Sequence, residues 1–255
     1  MKLEILYEDK DCVFINKPAG ISVHADGKSD EKTLTDFLLE MYPEIKDVGE
    51  PLEIKQAGGT SRFIPKPGIV HRLDKETSGV MIVVKNQKAH EFFKNQFQEH
   101  EIIKMYHAFV YGWLKEDEFE VDAPIGRDSG SVRKWTVGKG ARGAMREAST
   151  KFKVLSRFGN REYEGKGSTD AGTFSFVEAL PKTGRTHQIR VHLKSMNHPI
   201  VCDSLYASGR PAGLGFSRLA LHARMLTLKL MNGKTHTVIA PYPNDFKKAV
   251  EVANI

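Results

Sequence analysis

Short apolar runs separated by turn residues open the chain. Cys12-Val13-Phe14-Ile15 has the composition of a strand, Asn16-Lys17-Pro18-Ala19-Gly20 interrupts it, and Ile21-Ser22-Val23 resumes it. Between residues 31 and 42 the period changes. Leu34, Phe37, Leu38 and Met41 recur at spacings of three and four, which predicts a helix stopped by Pro43. Residues 44–67 carry Pro51, Gly58, Gly59, Pro65 and Pro67 without a period and are expected to form a loop insertion. Gly79-Val80-Met81-Ile82-Val83-Val84 is β-branched and apolar without alternation, the pattern of a strand buried on both faces. Asn86 to His100 predicts a second helix, with Ala89, Phe92, Phe93 and Phe97 on one side. Strands are predicted at 105–112, 150–156, 173–180 and 226–231, and a short helix from Thr186 to Met196. No period of 20–50 residues repeats, which argues against a solenoid or propeller. Strands and helices mix without regular βαβ alternation, so the predicted class is α+β.

Composition narrows the setting. The chain has 255 residues, 40% hydrophobic and 27% charged, enough for a sizeable core and ordinary for a soluble globular protein. No apolar run approaches the roughly 18–20 residues that cross a bilayer. The first nine residues bring in acids at once and lack a signal-peptide core, so a cytoplasmic location is expected. Two cysteines, Cys12 and Cys202, make no disulfide framework and no metal knuckle. The net charge is +6, and its distribution is lopsided. From Arg127 to Lys166 there are eleven Lys or Arg against four acids, a local excess larger than that of the whole chain. Such a stripe suits a polyphosphate partner, or is a solvated face.

Candidate chemistry is best approached by exclusion. Ten histidines invite a metal, but there is no His-Glu-x-x-His, no Cys-x-x-Cys and no deaminase-type zinc signature. No Walker loop, no Gly-x-Gly-x-x-Gly and no Gly-x-Ser-x-Gly elbow occurs, so neither a metal nor a nucleotide cofactor is expected. Two dense segments remain. In His71-Arg72-Leu73-Asp74-Lys75-Glu76-Thr77-Ser78-Gly79 an acid stands at the lip of the most apolar strand, as a turn cap or a working carboxylate. The other runs from Lys182 to Leu193. If it is helical from Thr186, Arg190 shares a face with His187 and Lys194 while Ile189, Leu193 and Met196 pack inward.

Together these segments resemble the two long signatures of the RluA-type pseudouridine synthases, the first following that family's Arg-Leu-Asp-x-x-Thr-Ser-Gly pattern. Ile5-Leu6-Tyr7-Glu8-Asp9, Asn16-Lys17-Pro18-Ala19-Gly20 and Lys104-Met105-Tyr106-His107-Ala108 match the family in order. So do His198-Pro199-Ile200, Leu221-His222-Ala223 and Ala240-Pro241. The resemblance covers most of the chain. It implies a mixed, largely antiparallel sheet in two lobes flanked by helices and loops, forming a single catalytic domain over residues 1–255 with its active site in a central cleft.

The implied reaction isomerises uridine in structured RNA, transfer or ribosomal, to pseudouridine without a cofactor. Asp74 is the implied essential carboxylate, adding to the sugar or the base or assisting a glycal. An ionised carboxylate in a pocket that excludes water needs an opposed cation, and the family places Arg190 there. Tyr106 is implied to stack on the uracil, and Arg72 to fill the space left when the base flips. The basic stripe would then hold flanking phosphates. Many relatives carry an S4-type RNA-binding domain ahead of the catalytic one, for which no room is expected here. That tilts the expected substrate toward tRNA or a small stem-loop, and a monomer is expected. Cys202-Asp203 stands where the family often has Gly-Asp, and Met231-Asn232-Gly233 replaces a usual His-Pro. Neither departure is expected to touch the matched site positions. The alternative from another class is an RNA-binding protein on a catalytically idle synthase fold.

Overall fold

The computed structural model of the protein describes residues 3–27, 29–55, 59–159 and 172–253. In chain order the first elements are β1 (Glu4–Glu8), β2 (Cys12–Lys17), α1 (Leu34–Met41), β3 (Leu52–Lys55), β4 (Ser61–Ile64), β5 (Ser78–Val84) and α2 (Gln87–Gln98). There follow β6 (Ile103–Tyr111), β7 (Glu118–Asp122), β8 (Ile125–Asp128), β9 (Trp135–Val137), β10 (Ala141–Arg146), β11 (Ser149–Gly159) and β12 (Thr173–Pro181). The last are α3 (Gln188–Ser195), β13 (Leu221–Lys229), β14 (Thr235–Ile239) and α4 (Asn244–Val252). The chain packs as two compact units, one of residues 1–102 and 225–241, the other of 103–224 and 242–255. The fold class is α+β, with a mostly antiparallel sheet.

In the first unit β2 lies between β1 and β5 and runs antiparallel to both. All seven residues of β5 are buried, as its unbroken apolar run predicts. Burying each of Met81, Ile82 and Val83 contributes about 1.5–3 kcal/mol. The β2–β5 register runs from Cys12 opposite Val84 to Lys17 opposite Gly79. The turn that leaves β2 and the turn that enters β5 are therefore neighbours. Two helices form where the sequence predicts them. Asp36 accepts from the Thr33 amide at the start of α1, and Asn86 Oδ1 accepts from the Ala89 amide at the start of α2.

Within 44–67 the described residues, 44–55 and 59–67, are more regular than their prolines and glycines suggest. A 3₁₀ turn covers Pro43–Asp47, and β3 and β4 pair as an antiparallel ribbon from Leu52 opposite Ile64 to Lys55 opposite Ser61. Pro51, Pro65, Pro67 and Gly59 all flank the paired residues, and Gly58 lies outside the described residues. Two strands of four residues are too short to leave a period. The chain then returns to β5 at Gly68, where a Cβ would stand 2.7 Å from the Val84 carbonyl oxygen and φ is +68°.

The second unit is built on the antiparallel order β6-β12-β11-β7, with Phe109, Phe176, Phe216 and Phe246 clustered in its core. Phe109 stacks on Phe176 at 4.5 Å between centroids, and α4 contributes Phe246. A separate sheet, ordered β10-β8-β9, carries part of the basic stripe. Arg127, Arg133, Arg142 and Arg146 are exposed there. The stripe is not one surface. On β11, Lys153 pairs with Glu118, and Arg157 pairs with Asp117 and donates to the Leu114 carbonyl. Arg161, Glu162, Glu164 and Lys166 lie outside the described residues. Among the described residues no helix is long and apolar enough to cross a membrane.

Candidate active site

Asp74 stands in the turn that feeds β5. The Thr77 amide donates to the Asp74 carbonyl at 3.1 Å, closing a tight turn over Lys75 and Glu76. Leu73 is buried beneath it, and His71 Nε2 accepts from the Ile82 amide while its ring stacks on Phe97 at 4.6 Å. The strongest anchor comes from the neighbouring turn. Lys17, fully buried at the end of β2, donates from Nζ to the carbonyls of Pro18 (2.8 Å), Ile21 (2.9 Å) and Lys75 (3.1 Å). The Gly20 amide donates to the Lys75 carbonyl as well. An ammonium has three protons, and here three carbonyls from two turns receive them. The Thr77 hydroxyl in the same turn is buried without a hydrogen-bond partner among the described residues.

Arg72, two residues before Asp74, is exposed. Its Nη1 lies 3.3 Å from His24 Nε2, and His24 Nδ1 lies 2.8 Å from the Ala25 carbonyl. The second contact puts the imidazole proton on Nδ1 and leaves Nε2 to accept from Arg72. Burial, and then the charges of Arg72 and Lys66, lower the His24 pKa, which keeps the ring neutral.

Tyr106 and Arg190 belong to the second unit. Tyr106 is half-buried on β6, opposite Ala179 of β12. The strand period puts Lys104 on the same face as Tyr106. Burial, with the charge of Arg185 beside it, lowers Lys104 to a pKa of about 8, and its Nζ donates to the Thr183 carbonyl at 3.0 Å. On the opposite face His107 is held near pKa 4 by burial and by the positive charge of Arg224, so its 3.8 Å approach to Glu178 is that of a neutral ring.

Arg190 departs from its sequence reading. The helix starts at Gln188, after His187 adopts a left-handed φ of 56°. Gln188 to Leu193 are all buried, so α3 has no solvated cationic face there. Arg190 Nε and Nη2 donate to Asp203 at 2.8 and 2.9 Å, with side-chain exposures of 7% and 0%. Asp203 Oδ1 also accepts from the amides of Leu205 and Tyr206, and the Arg190 guanidinium lies 5.1 Å from the Tyr206 ring centroid. The fork uses two of five guanidinium donors and fixes the plane of the group. The expectation that Cys202-Asp203 stays clear of the matched positions is thus overturned: Asp203 grips Arg190 directly. Cys202 shows why glycine is common before that acid, because its φ of 56° is a conformation glycine adopts at no Cβ cost. Met231-Asn232-Gly233 forms the β13–β14 turn of the first unit.

Sequence reasoning thus missed two positioning residues. Lys17 stood in a matched motif, but its role depends on carbonyls that sequence patterns do not display. Asp203 was visible only as half of a Gly-Asp variant. Among the described residues no group of three or more His, Cys, Asp or Glu is arranged to hold a metal.

Asp74 thus stands in a turn that Lys17 pins in the first unit, and Arg190 is buried and oriented by Asp203 in the second. Comparison with known proteins makes the class definite. A family model described as RNA pseudouridylate synthase matches residues 11–195. An uncharacterised RNA pseudouridine synthase of Synechocystis is 37% identical over 96% of this chain and 67% of its own length. A ribosomal large subunit pseudouridine synthase D of Neisseria meningitidis is 36% identical over 100% of this chain and 62% of its own. The human RNA pseudouridylate synthase domain containing 4 superposes with a TM-score of 0.69 at 26% identity, covering 98% of this chain and 93% of that one. The chain belongs to the RNA pseudouridylate synthase family, and its enzyme class is that of an RNA-modifying isomerase. It spans about two thirds of the length of these two bacterial relatives.

Two outcomes are expected from this geometry. Lys17→Met takes the ammonium from the Pro18 and Ile21 carbonyls and leaves the Lys75 carbonyl only the Gly20 amide, at about 1–3 kcal/mol for each buried group left unsatisfied. Urea denaturation is therefore expected to show a loss of about 3 kcal/mol. For Lys104 the folded pKa, about 8, lies below its ordinary 10.5, so the unfolded chain binds more protons between those values and stability rises with pH across that window. Lys104→Met is expected to abolish that rise, measured as denaturation midpoints between pH 8 and 10.5 relative to the unsubstituted chain.

Proposed function

We propose that this isomerase converts specific uridines in structured RNA to pseudouridine, with Asp74 as its essential carboxylate. The bond from base N1 to C1′ of the ribose breaks, the uracil turns, and C5 bonds to C1′ while the C5 hydrogen leaves. The observation that carries the reading is the pinned Asp74 turn. Lys17 holds its backbone in place at the carbonyl next in sequence, so the carboxyl group has a defined origin. A reacting carboxylate needs that more than a turn cap does.

The other assignments follow the matched motifs. Arg190 is proposed as the cation that keeps Asp74 ionised and oriented, with Asp203 fixing the plane of the guanidinium. Tyr106 is proposed to stack on the uracil. The exposure of Arg72 supports its role in filling the space that the flipped nucleotide vacates. The chemistry asks for no cofactor, because the base is both leaving group and nucleophile. Of transfer and ribosomal RNA, ribosomal RNA has the added support of relatives named for the large ribosomal subunit. We place the activity in the cytoplasm of the cell, with the chain acting as a monomer.

The test is tritium release from unmodified total RNA labelled at C5 of uridine, since pseudouridine formation expels that hydrogen by any route. Wild type is expected to release tritium in the presence of chelator. Asp74→Asn is expected to lose at least a thousandfold in rate and still bind RNA. Full activity in Asp74→Asn would sink the proposed role. Asp203→Asn retains the size of the side chain but leaves Arg190 with a neutral partner, so a rate loss of at least tenfold is expected in the same assay.

A further inference from the structure

The second unit contains a cleft of about 440 Å³ that none of these roles uses. It lies between the β8–β9 edge of the small sheet and the C-terminal end of α3, and its walls include Asp128, Lys134, Trp135, Lys194 and Tyr206. The volume falls within the range of small-molecule sites, about 300–1,000 Å³. Its donors are unspent. Lys134 Nζ, Lys194 Nζ and the Trp135 indole N–H have no hydrogen-bond or ion-pair partner among the described residues. A cation in the last turn of α3 suits the helix dipole, which accounts for Lys194 but not for Lys134 facing the same space.

Apart from Asp128, the surroundings named here are basic. Arg127 lies 5.0 Å from the Trp135 ring centroid, and Arg133, Arg142 and Arg146 are exposed on the same sheet or its connections. The cleft is also joined to the arginine of the proposed site. The Trp135 amide donates to Tyr206 Oη at 2.9 Å, His187 Nδ1 lies 2.9 Å from the same oxygen, and the Tyr206 ring lies against Arg190. Two unpaired ammonium groups, an aromatic wall and one carboxylate select a ligand with a phosphate, a flat ring and a ring or exocyclic N–H. A nucleotide has all three.

We infer that this cleft binds one nucleotide of the RNA substrate other than the uridine that reacts. Lys134 and Lys194 hold its phosphate, Trp135 lies against its base, and Asp128 accepts from the base edge. The inference rests on the reading of the chain as an RNA isomerase, and the experiment separates the two.

The affinity of the full chain for a fluorescein-labelled, single-stranded RNA 12-mer of mixed sequence is measured from 50 to 300 mM salt. The Lys134→Gln/Lys194→Gln double variant is expected to bind about tenfold more weakly at 100 mM. Its plot of log K against log salt should be shallower by about 0.7–1.4, one to two phosphate contacts on a single strand. Trp135→Leu is expected to weaken binding about tenfold or more, and Trp135→Phe to restore most of it. Both lysines are at the surface or half-buried, so the double variant decides the matter even if Trp135→Leu folds poorly. A 12-mer that wild type does not bind, or that the lysine variant binds with unchanged affinity and slope, overturns the inference. So does a polyglutamate peptide that competes as well as RNA. Tritium release is followed in parallel. Lysine-dependent RNA binding without release from wild type upholds the cleft and overturns the isomerase reading; release with lysine-independent binding does the reverse.

Discussion

A charge taken out of water has to find its compensation inside the protein, and a buried cation in each unit shows how it does. In the first unit it is Lys17, whose ammonium is saturated by three backbone carbonyls. In the second it is Arg190, held by the fully buried carboxylate of Asp203. Such arrangements add little net stability compared with apolar packing, because desolvation offsets most of the attraction. What they supply is position. Lys17 cannot shift without giving up bonds to carbonyls in two turns, and Arg190 cannot rotate without breaking a two-bond fork.

The same constraint shows where compensation is lacking. His24, His107 and His192 are pushed toward the neutral ring, first of all by burial, and Lys104 descends to about 8. Burial moves each of these groups toward its neutral form, and Lys104 at about 8 still holds its proton at neutral pH. His107 shows how far burial reaches, since a glutamate stands 3.8 Å away and yet burial, with the charge of Arg224, keeps the ring uncharged.

Asp203 links these considerations to variation in sequence. The residue before it occupies a left-handed conformation, where cysteine is strained by the order of 1 kcal/mol relative to glycine. The Cys202 thiol donates to the Phe216 carbonyl at 3.1 Å, a contact glycine cannot make. The acid itself has no such latitude, because Arg190 and the amides of Leu205 and Tyr206 all depend on it.

Local chemistry was legible along the chain wherever one residue's neighbours in sequence are also its neighbours in space. The apolar run of β5, the three-and-four spacing of α1 and α2, and the density of charge around Asp74 all belong to this kind, and so does the family resemblance carried by contiguous motifs. The sequence by itself determined the α+β class, the family and the candidate reactive segments. Only the tertiary structure decided what each charge does. It showed that α3 is buried almost all round, that Lys17 serves turns whose acceptors are 4 and 58 residues away, and that Asp203 sits 13 residues beyond the arginine it orients. It also divided the basic stripe, pairing Lys153 and Arg157 on β11, leaving four arginines exposed on and around the small sheet, and placing Lys134 in a cleft wall. Hydrophobic period reports how much of a segment is buried, but the pairing of buried charges depends on distances that no local pattern encodes.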